Sequence, residues 1–190
     1  MFKSIRNRHN AANEAILGTS RLFAGLWGDV KLADNGDVHF TGLPKELQGL
    51  TATQTWQRQL LGGSMSINLC LRREISSSGH GTLRFCGGKF RHKGNSTMAH
   101  DLIDHLHADA SLMTELRHLD LAALIITLSG SQATIMLTPY GGGLAFLVMP
   151  PVRYAVAFPP DQIAMTARVV TRLERIVSGQ SRDRGSRMTH

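Results

Sequence analysis

The stretch LAALIITLSGSQATIMLTPYGGGLAFLVMPPVRYAVAF, residues 121–158, decides the fold class. Apolar residues alternate with others along it, and turn-forming residues interrupt it at matching intervals. A two-residue turn at Gly130–Ser131 would place Ile126 opposite Ile135, and a second turn within 139–142 would continue the same apolar face. The stretch therefore predicts an antiparallel sheet made of consecutive hairpins.

Alternating segments nearer the N-terminus extend the predicted sheet. Residues 29–41 form a predicted hairpin, because Asn35–Gly36 tolerates the positive φ of a type I′ turn. The β-forming run 51–56 predicts another strand. Residues 64–71 alternate cleanly, and the Ser- and Gly-rich loop 76–81 is expected to turn the chain into a return strand.

Three segments have the periodicity of helices. A short helix is predicted over about 10–17, and a longer helical region over about 97–117 after a cap at Asn95 or Ser96. The last helix, about 161–178, follows a proline and has an apolar stripe along one side.

We expect a single α+β domain over 1–179, in which a curved, mainly antiparallel sheet carries the helices 97–117 and 161–178. Residues 180–190 are polar and basic without apolar periodicity, so a disordered basic tail is predicted. In layout the chain is similar to helix-grip proteins, which enclose apolar ligands between a curved sheet and a long helix. The similarity is one of architecture and has no motif behind it.

Composition and charge restrict the classes of protein. The chain has 190 residues, 42% of them hydrophobic, and a formal net charge of +7. No apolar run approaches the length of a transmembrane helix, and the N-terminus lacks a clean signal-peptide core, so we expect a cytoplasmic protein. Basicity favours an anionic or protein partner, nucleic acid included. The oligomeric state is open.

Few motifs point to catalysis. No P-loop is present, and the run 141–143 is expected between antiparallel strands, where no helix N-terminus could receive a phosphate. We therefore expect no cofactor. The weak metal candidates are His100, Asp104 and His107 on one helix, which could equally be a solvated outer face. Across the expected hairpin, Cys70 and Cys86 would be direct or diagonal neighbours.

Basic side chains are the clearest functional signal. A first group, interleaved with Phe85 and Phe90, lies on and after the predicted hairpin, where it could follow a phosphate backbone and stack bases. A second group forms a stripe on the last helix, although such a stripe is often only a solvated face. The predicted binding residues are Arg72, Arg73, Arg84, Lys89, Arg91, Lys93, Arg168, Arg172 and Arg175.

Three functional hypotheses follow. The first is a non-enzymatic binding or adaptor protein that uses the basic surface, or the second apolar face of the 121–149 sheet, to hold an anionic or protein partner. The second is a carrier or sensor of a small apolar ligand, held in a cavity between the sheet and the C-terminal helix. The third is a metal-dependent enzyme that uses the His/Asp helix. The residues expected around an apolar ligand are Ile126, Ile135, Phe146, Val170 and Leu173.

Overall fold

The computed structural model describes residues 13–59, 62–93, 96–147 and 152–185. The helices are α1 (helical over 13–21), α2 (Ala24–Trp27), α3 (Thr97–Ala108), α4 (Ala110–His118) and α5 (Pro160–Gly185), with a short 3-10 helix at Lys45–Leu47. The strands are β1 (Val30–Leu32), β2 (Val38–Phe40), β3 (Thr51–Gln59), β4 (Gly62–Cys86), β5 (Lys89–Lys93), β6 (Leu121–Pro139), β7 (Leu144–Leu147) and β8 (Val152–Ala155).

The eight strands within the described ranges belong to one antiparallel sheet, so the predicted α+β class is confirmed. Strand β4 is 25 residues long and organises the sheet. On one edge it pairs with β3 along 62–70 and with β5 along 82–86. On the other edge it pairs with β7 along 62–65 and with β6 along 69–84. The start of β4 therefore lies between β3 and β7, its end lies between β5 and β6, and β6 continues along the same edge as β7 past the middle of β4.

Two of the expected hairpin turns are absent because the strands continue through them. Strand β6 passes through Gly130–Ser131 and pairs with β4, so Ile126 lies opposite Leu83 instead of Ile135. Strand β4 likewise passes through 76–81. The register between these two strands shifts there, where Gly79 lies opposite Gly130. One bulge-like irregularity, in which residues 75–78 of β4 face only Ser131 of β6, replaces both predicted turns.

The third expected hairpin, after Pro139, is also absent. Strand β7 lies along the same edge of β4 as β6 and in the same direction, after the loop 140–143. The backbone at Gly143 packs directly against β4. A Cβ on Gly143 would lie 2.6 Å from the carbonyl oxygen of Met65. The glycines that indicated a hairpin instead permit an interrupted, collinear strand.

The local alternation of apolar residues could not distinguish a hairpin turn at Gly130–Ser131 from a strand that continues through a bulge. Before Gly130 the apolar face of β6 holds even-numbered residues, and after Ser131 it holds odd-numbered residues. Both a two-residue turn and a bulge produce that switch, because each moves the following side chains to the other face. Pairing with β4, which is far from β6 in sequence, favours the bulge over the turn.

A disulfide test separates the two registers. In a chain whose native cysteines are replaced by Ser, Thr82→Cys with Thr127→Cys should form a disulfide, because these residues are direct partners on β4 and β6. The control is Thr127→Cys with Thr134→Cys, which a turn at Gly130–Ser131 would make neighbours. Mass spectrometry under non-reducing conditions reports the products. Cross-linking of the control and not of the first pair would contradict the register.

Two other turns are short hairpins. Strands β1 and β2 pair as expected around Asn35–Gly36, but only Gly36 has a positive φ, +86°, so the turn is not type I′. The type I′ geometry occurs instead at Gly87–Gly88, whose φ values are +60° and +76°. This two-residue loop joins β4 to β5, and sequence reasoning missed it because the chain was expected to turn earlier.

The predicted helices are present, but some of them end at other residues than expected. Helix α1 continues past Gly18, and the start expected near residue 10 lies outside the described residues. Ser96 caps α3, its Oγ accepting a hydrogen bond from the Ala99 N–H at 3.4 Å. Helix α5 continues past Gly179, where an end was expected, to Gly185. The division of the chain at residue 179 stays a prediction.

The core lies between one face of the sheet and the helices. Odd-numbered residues of β4 such as Leu69 and Leu71 share a buried cluster with Val170 and Leu173 of α5. The even-numbered residues of β4 therefore point to the other side, which we call the outer face. Among the described residues, none of the helices combines the length and apolar character needed to cross a membrane.

Candidate nucleic-acid interface

Four exposed basic side chains lie together on the outer face, in the half of the sheet formed by β5, β4 and β6. Residues Lys89, Arg91 and Lys93 alternate along β5 and project to the same side. Arg84 of β4 is the direct partner of Arg91. Because β5 and β4 are joined by the Gly87–Gly88 turn, the chain brings these residues together locally. We call Arg84, Lys89, Arg91 and Lys93 the basic strand face.

No acidic side chain neutralises the basic strand face within the part of the chain that the structure describes. The ion pairs there involve Arg73, Arg168 and Arg172 only. Like charges directly opposite each other in a sheet are unfavourable, and Arg84 faces Arg91. The four cations thus create a local positive potential that an anion would relieve.

Hydroxyl groups border the basic strand face. Thr82 is the direct partner of both Lys93 on β5 and Thr127 on β6. Thr127 is exposed, and Thr82 is half-buried. Sequence analysis did not select these threonines, because only the pairing of β4 with β6 places Thr127 beside the cations. Serine and threonine hydroxyls commonly donate hydrogen bonds to phosphate oxygens.

The aromatic residues of this hairpin lie on the opposite side of the sheet. Phe85 and Phe90 are direct partners, with ring centroids 5.2 Å apart, and Phe90 is 3% exposed. Both pack into the core cluster. Phe85 thus packs against the core, as its alternation with Leu83 predicts, and the hypothesis that an aromatic residue among the cations could stack bases is wrong for Phe90. The one-residue offset along each strand sends both rings to the other face.

The other predicted basic residues lie elsewhere. Arg72 is exposed on the outer face of β4, before the bulge, opposite Thr134. Arg73 points to the core face, where its Nε lies 3.1 Å from Oε1 of Glu174 on α5. Arg73 therefore joins β4 to α5 and does not belong to the predicted basic binding surface.

The arginines of α5 divide in the same way. Arg168 and Arg172 form ion pairs with Glu115 of α4, at 2.7 Å and 3.4 Å, and Arg172 also reaches Asp109 at 3.3 Å. These contacts join α4 to α5. Arg175 is exposed. The predicted stripe is thus largely occupied by contacts within the protein.

The three weak metal candidates are not brought into one site. Nε2 of His107 accepts a hydrogen bond from the Phe90 N–H at 3.0 Å, which satisfies the backbone of β5. The ring of His100 lies against that of His92, with centroids 5.3 Å apart. Across the described ranges, no group of three or more His, Cys, Asp or Glu side chains could hold a metal ion.

The two cysteines are far apart and unpaired. Both lie on β4, near its middle and at its end, so they are not neighbours across a hairpin as expected. Burial raises the pKa of the Cys70 thiol, which favours the unreactive protonated form. Cys86 is exposed at the end of the basic strand face, beside Lys89.

The residues expected around an apolar ligand lie in the core. Ile126, Ile135, Val170 and Leu173 are each at most 1% exposed and belong to one buried cluster. The side chain of Phe146 is outside the described residues. The cluster supports packing of α5 on the sheet, and the ligand hypothesis stays a prediction.

Comparison with known proteins identifies a family. The family model described as protein of unknown function, DUF3156, matches residues 25–177. No curated protein matches the chain, and no solved structure matches it. The matched segment includes the eight strands described above and the basic strand face. Because the match covers well over half of the chain, the protein belongs to the DUF3156 family.

Proposed function

We propose that this protein is a non-enzymatic binding protein that engages nucleic acid through the basic strand face. The observation that carries the proposal is the gathering of four exposed cations on one sheet surface, with no acidic partner among the described residues. Contacts from Lys and Arg to phosphate supply most of the sequence-independent affinity for nucleic acid.

The arrangement of the charges favours a linear polyanion. Alternate residues of a strand are about 6.6 to 6.8 Å apart, so Lys89, Arg91 and Lys93 form a straight row roughly 13 Å long. A single phosphate group could contact one or two of these side chains. A chain of phosphates can contact the whole row and relieve the repulsion between Arg84 and Arg91.

A cytoplasmic location is part of the proposal. Both cysteines are free thiols, which is the usual state in a reducing compartment. An adaptor role follows if the nucleic acid is held by one face while other surfaces remain available. The competing occupant of a basic face is an anionic membrane, which the binding experiment must include.

The proposal is tested by titrating the full chain against a fluorescently labelled nucleic-acid duplex and against its separate strands at several salt concentrations. Four phosphate contacts predict a slope of log K against log salt of about −3.6. Vesicles containing phosphatidylserine and vesicles of neutral lipid are measured in parallel. Affinity that does not change with salt, or binding to the anionic vesicles without binding to the duplex or to either single strand, would refute the proposal.

A further inference from the structure

We infer that the nucleic acid bound by the basic strand face is a duplex, contacted through its phosphates without stacking of bases on the protein. This inference rests on the proposed function and names its partner more closely. It follows from which side chains share the outer face of β5, β4 and β6, and from which are turned away.

The outer face around the cations lacks a stacking platform. Single-stranded nucleic acid is usually held by aromatic side chains against which successive bases stack. None of the nine outer-face positions nearest the cations on these three strands carries Phe, Tyr or Trp, and the imidazole of His80 lies beyond Thr82, opposite Ser129. The nine positions are Lys89, Arg91 and Lys93 of β5, Thr82, Arg84 and Cys86 of β4, and Ala123, Ile125 and Thr127 of β6.

The same positions are rich in groups that contact phosphate. Four are cations, Thr82 adds a hydroxyl beside Lys93, and Thr127 adds a second hydroxyl beside Thr82. Such contacts position nucleic acid without reading its sequence. A duplex needs only these contacts, because its bases are already stacked on one another and its phosphates are exposed.

Charge density also favours the duplex. A duplex carries one charge for about every 1.7 Å along its axis, and neutralising four of its phosphates gives a salt slope of about −3.6. The same four contacts on a single strand give about −2.8. If the two affinities converge at about 1 M salt, the duplex binds about sixfold more tightly at about 0.1 M salt.

The experiment measures the dissociation constants of the full chain for a duplex and for each of its separate strands, at equal length. DNA and RNA are both used, together with homopolymer strands that differ in stacking. We expect tighter duplex binding, and single-strand affinities that do not depend on the base. Equal or tighter binding of the single strand, or a marked base preference, would overturn the inference and leave the proposed function standing.

A gain-of-function variant provides the second measurement. Ile125 is the direct partner of Arg84 on the outer face, so I125W places an aromatic ring beside the cations. Stacking of one base predicts a single-strand affinity at least about fivefold higher. Circular dichroism confirms folding. A folded I125W chain with unchanged single-strand affinity would contradict the inference, whereas absence of binding to every nucleic acid would refute the proposed function itself.

Discussion

Replacing the four residues of the basic strand face together by Gln is expected to lower the affinity for a nucleic-acid duplex about 4,000-fold at about 0.1 M salt, if the affinities of the native and substituted chains converge at about 1 M salt. Each lost phosphate contact removes about 0.9 from the slope of log K against log salt. The slope should therefore fall close to zero. The measurement is the same fluorescence titration, at several salt concentrations, with the variant Arg84→Gln, Lys89→Gln, Arg91→Gln and Lys93→Gln.

The matched control removes the same charge from other parts of the surface. Arg21, Lys31, Lys45 and Arg175 are exposed, form no ion pair among the described residues, and include the same number of arginines and lysines. Arg175, although part of the predicted stripe, lies on α5, which packs on the core side of the sheet, away from the basic strand face. Replacement of the four control residues by Gln should therefore reduce affinity far less. Equal losses in the two variants would show that net charge, and not the basic strand face, binds the nucleic acid.

Stability of the main variant distinguishes a binding surface from a structural one. The four side chains are exposed, and Arg84 lies opposite Arg91, so their replacement removes an unfavourable pair. We expect a melting temperature at or above that of the native chain. A clearly lower melting temperature would show that these residues support the fold.

Replacement of Arg73 by Ala is expected to lower the free energy of unfolding by about 3 kcal/mol. The Arg73 side chain is 17% exposed and that of Glu174 is 8% exposed, so the change leaves a largely buried carboxylate without its partner. Arg73 also donates hydrogen bonds to the carbonyl oxygens of Gln48 and Glu46, and thereby connects β4 with the segment before β3. Chemical denaturation at neutral pH measures the loss.

A double-mutant cycle separates the ion pair from the other contacts of Arg73. Arg73→Met with Glu174→Leu replaces both charges by apolar side chains, and it should recover most of the stability that each single change loses. The coupling energy between the two positions is the measured quantity. A coupling energy near zero, or an Arg73→Ala chain within about 0.5 kcal/mol of the native protein, would contradict the structural role.

Arg72 and Arg73 show what the sequence pattern of a strand can predict and what it cannot. Both look alike in sequence, and both were predicted to bind a partner. Alternation along β4 sends Arg72 to the outer face and Arg73 towards α5. Only the presence of Glu174 on the facing helix reveals why a charged residue stands on the apolar side, because that contact joins residues far apart in sequence.

The site was predicted in part. The clustering of Arg84, Lys89, Arg91 and Lys93 within ten residues was visible in sequence, because one short hairpin contains them all. Their common face follows from alternation once the turn is placed at Gly87–Gly88. The contribution of Thr127 and the removal of Phe90 from the surface were not predictable with the turn placed earlier.

By itself, the sequence determined the fold class of the protein, α+β. Alternating apolar residues require strands with one buried face, and the apolar stripes of 97–117 and 161–178 require helices against that face. The tertiary structure alone decided that β4 and β6 continue where turns were expected, and that β7 follows β6 along β4. The physical reason is that a turn and a bulge change side-chain alternation identically, whereas hydrogen bonding to a distant strand favours only one of them.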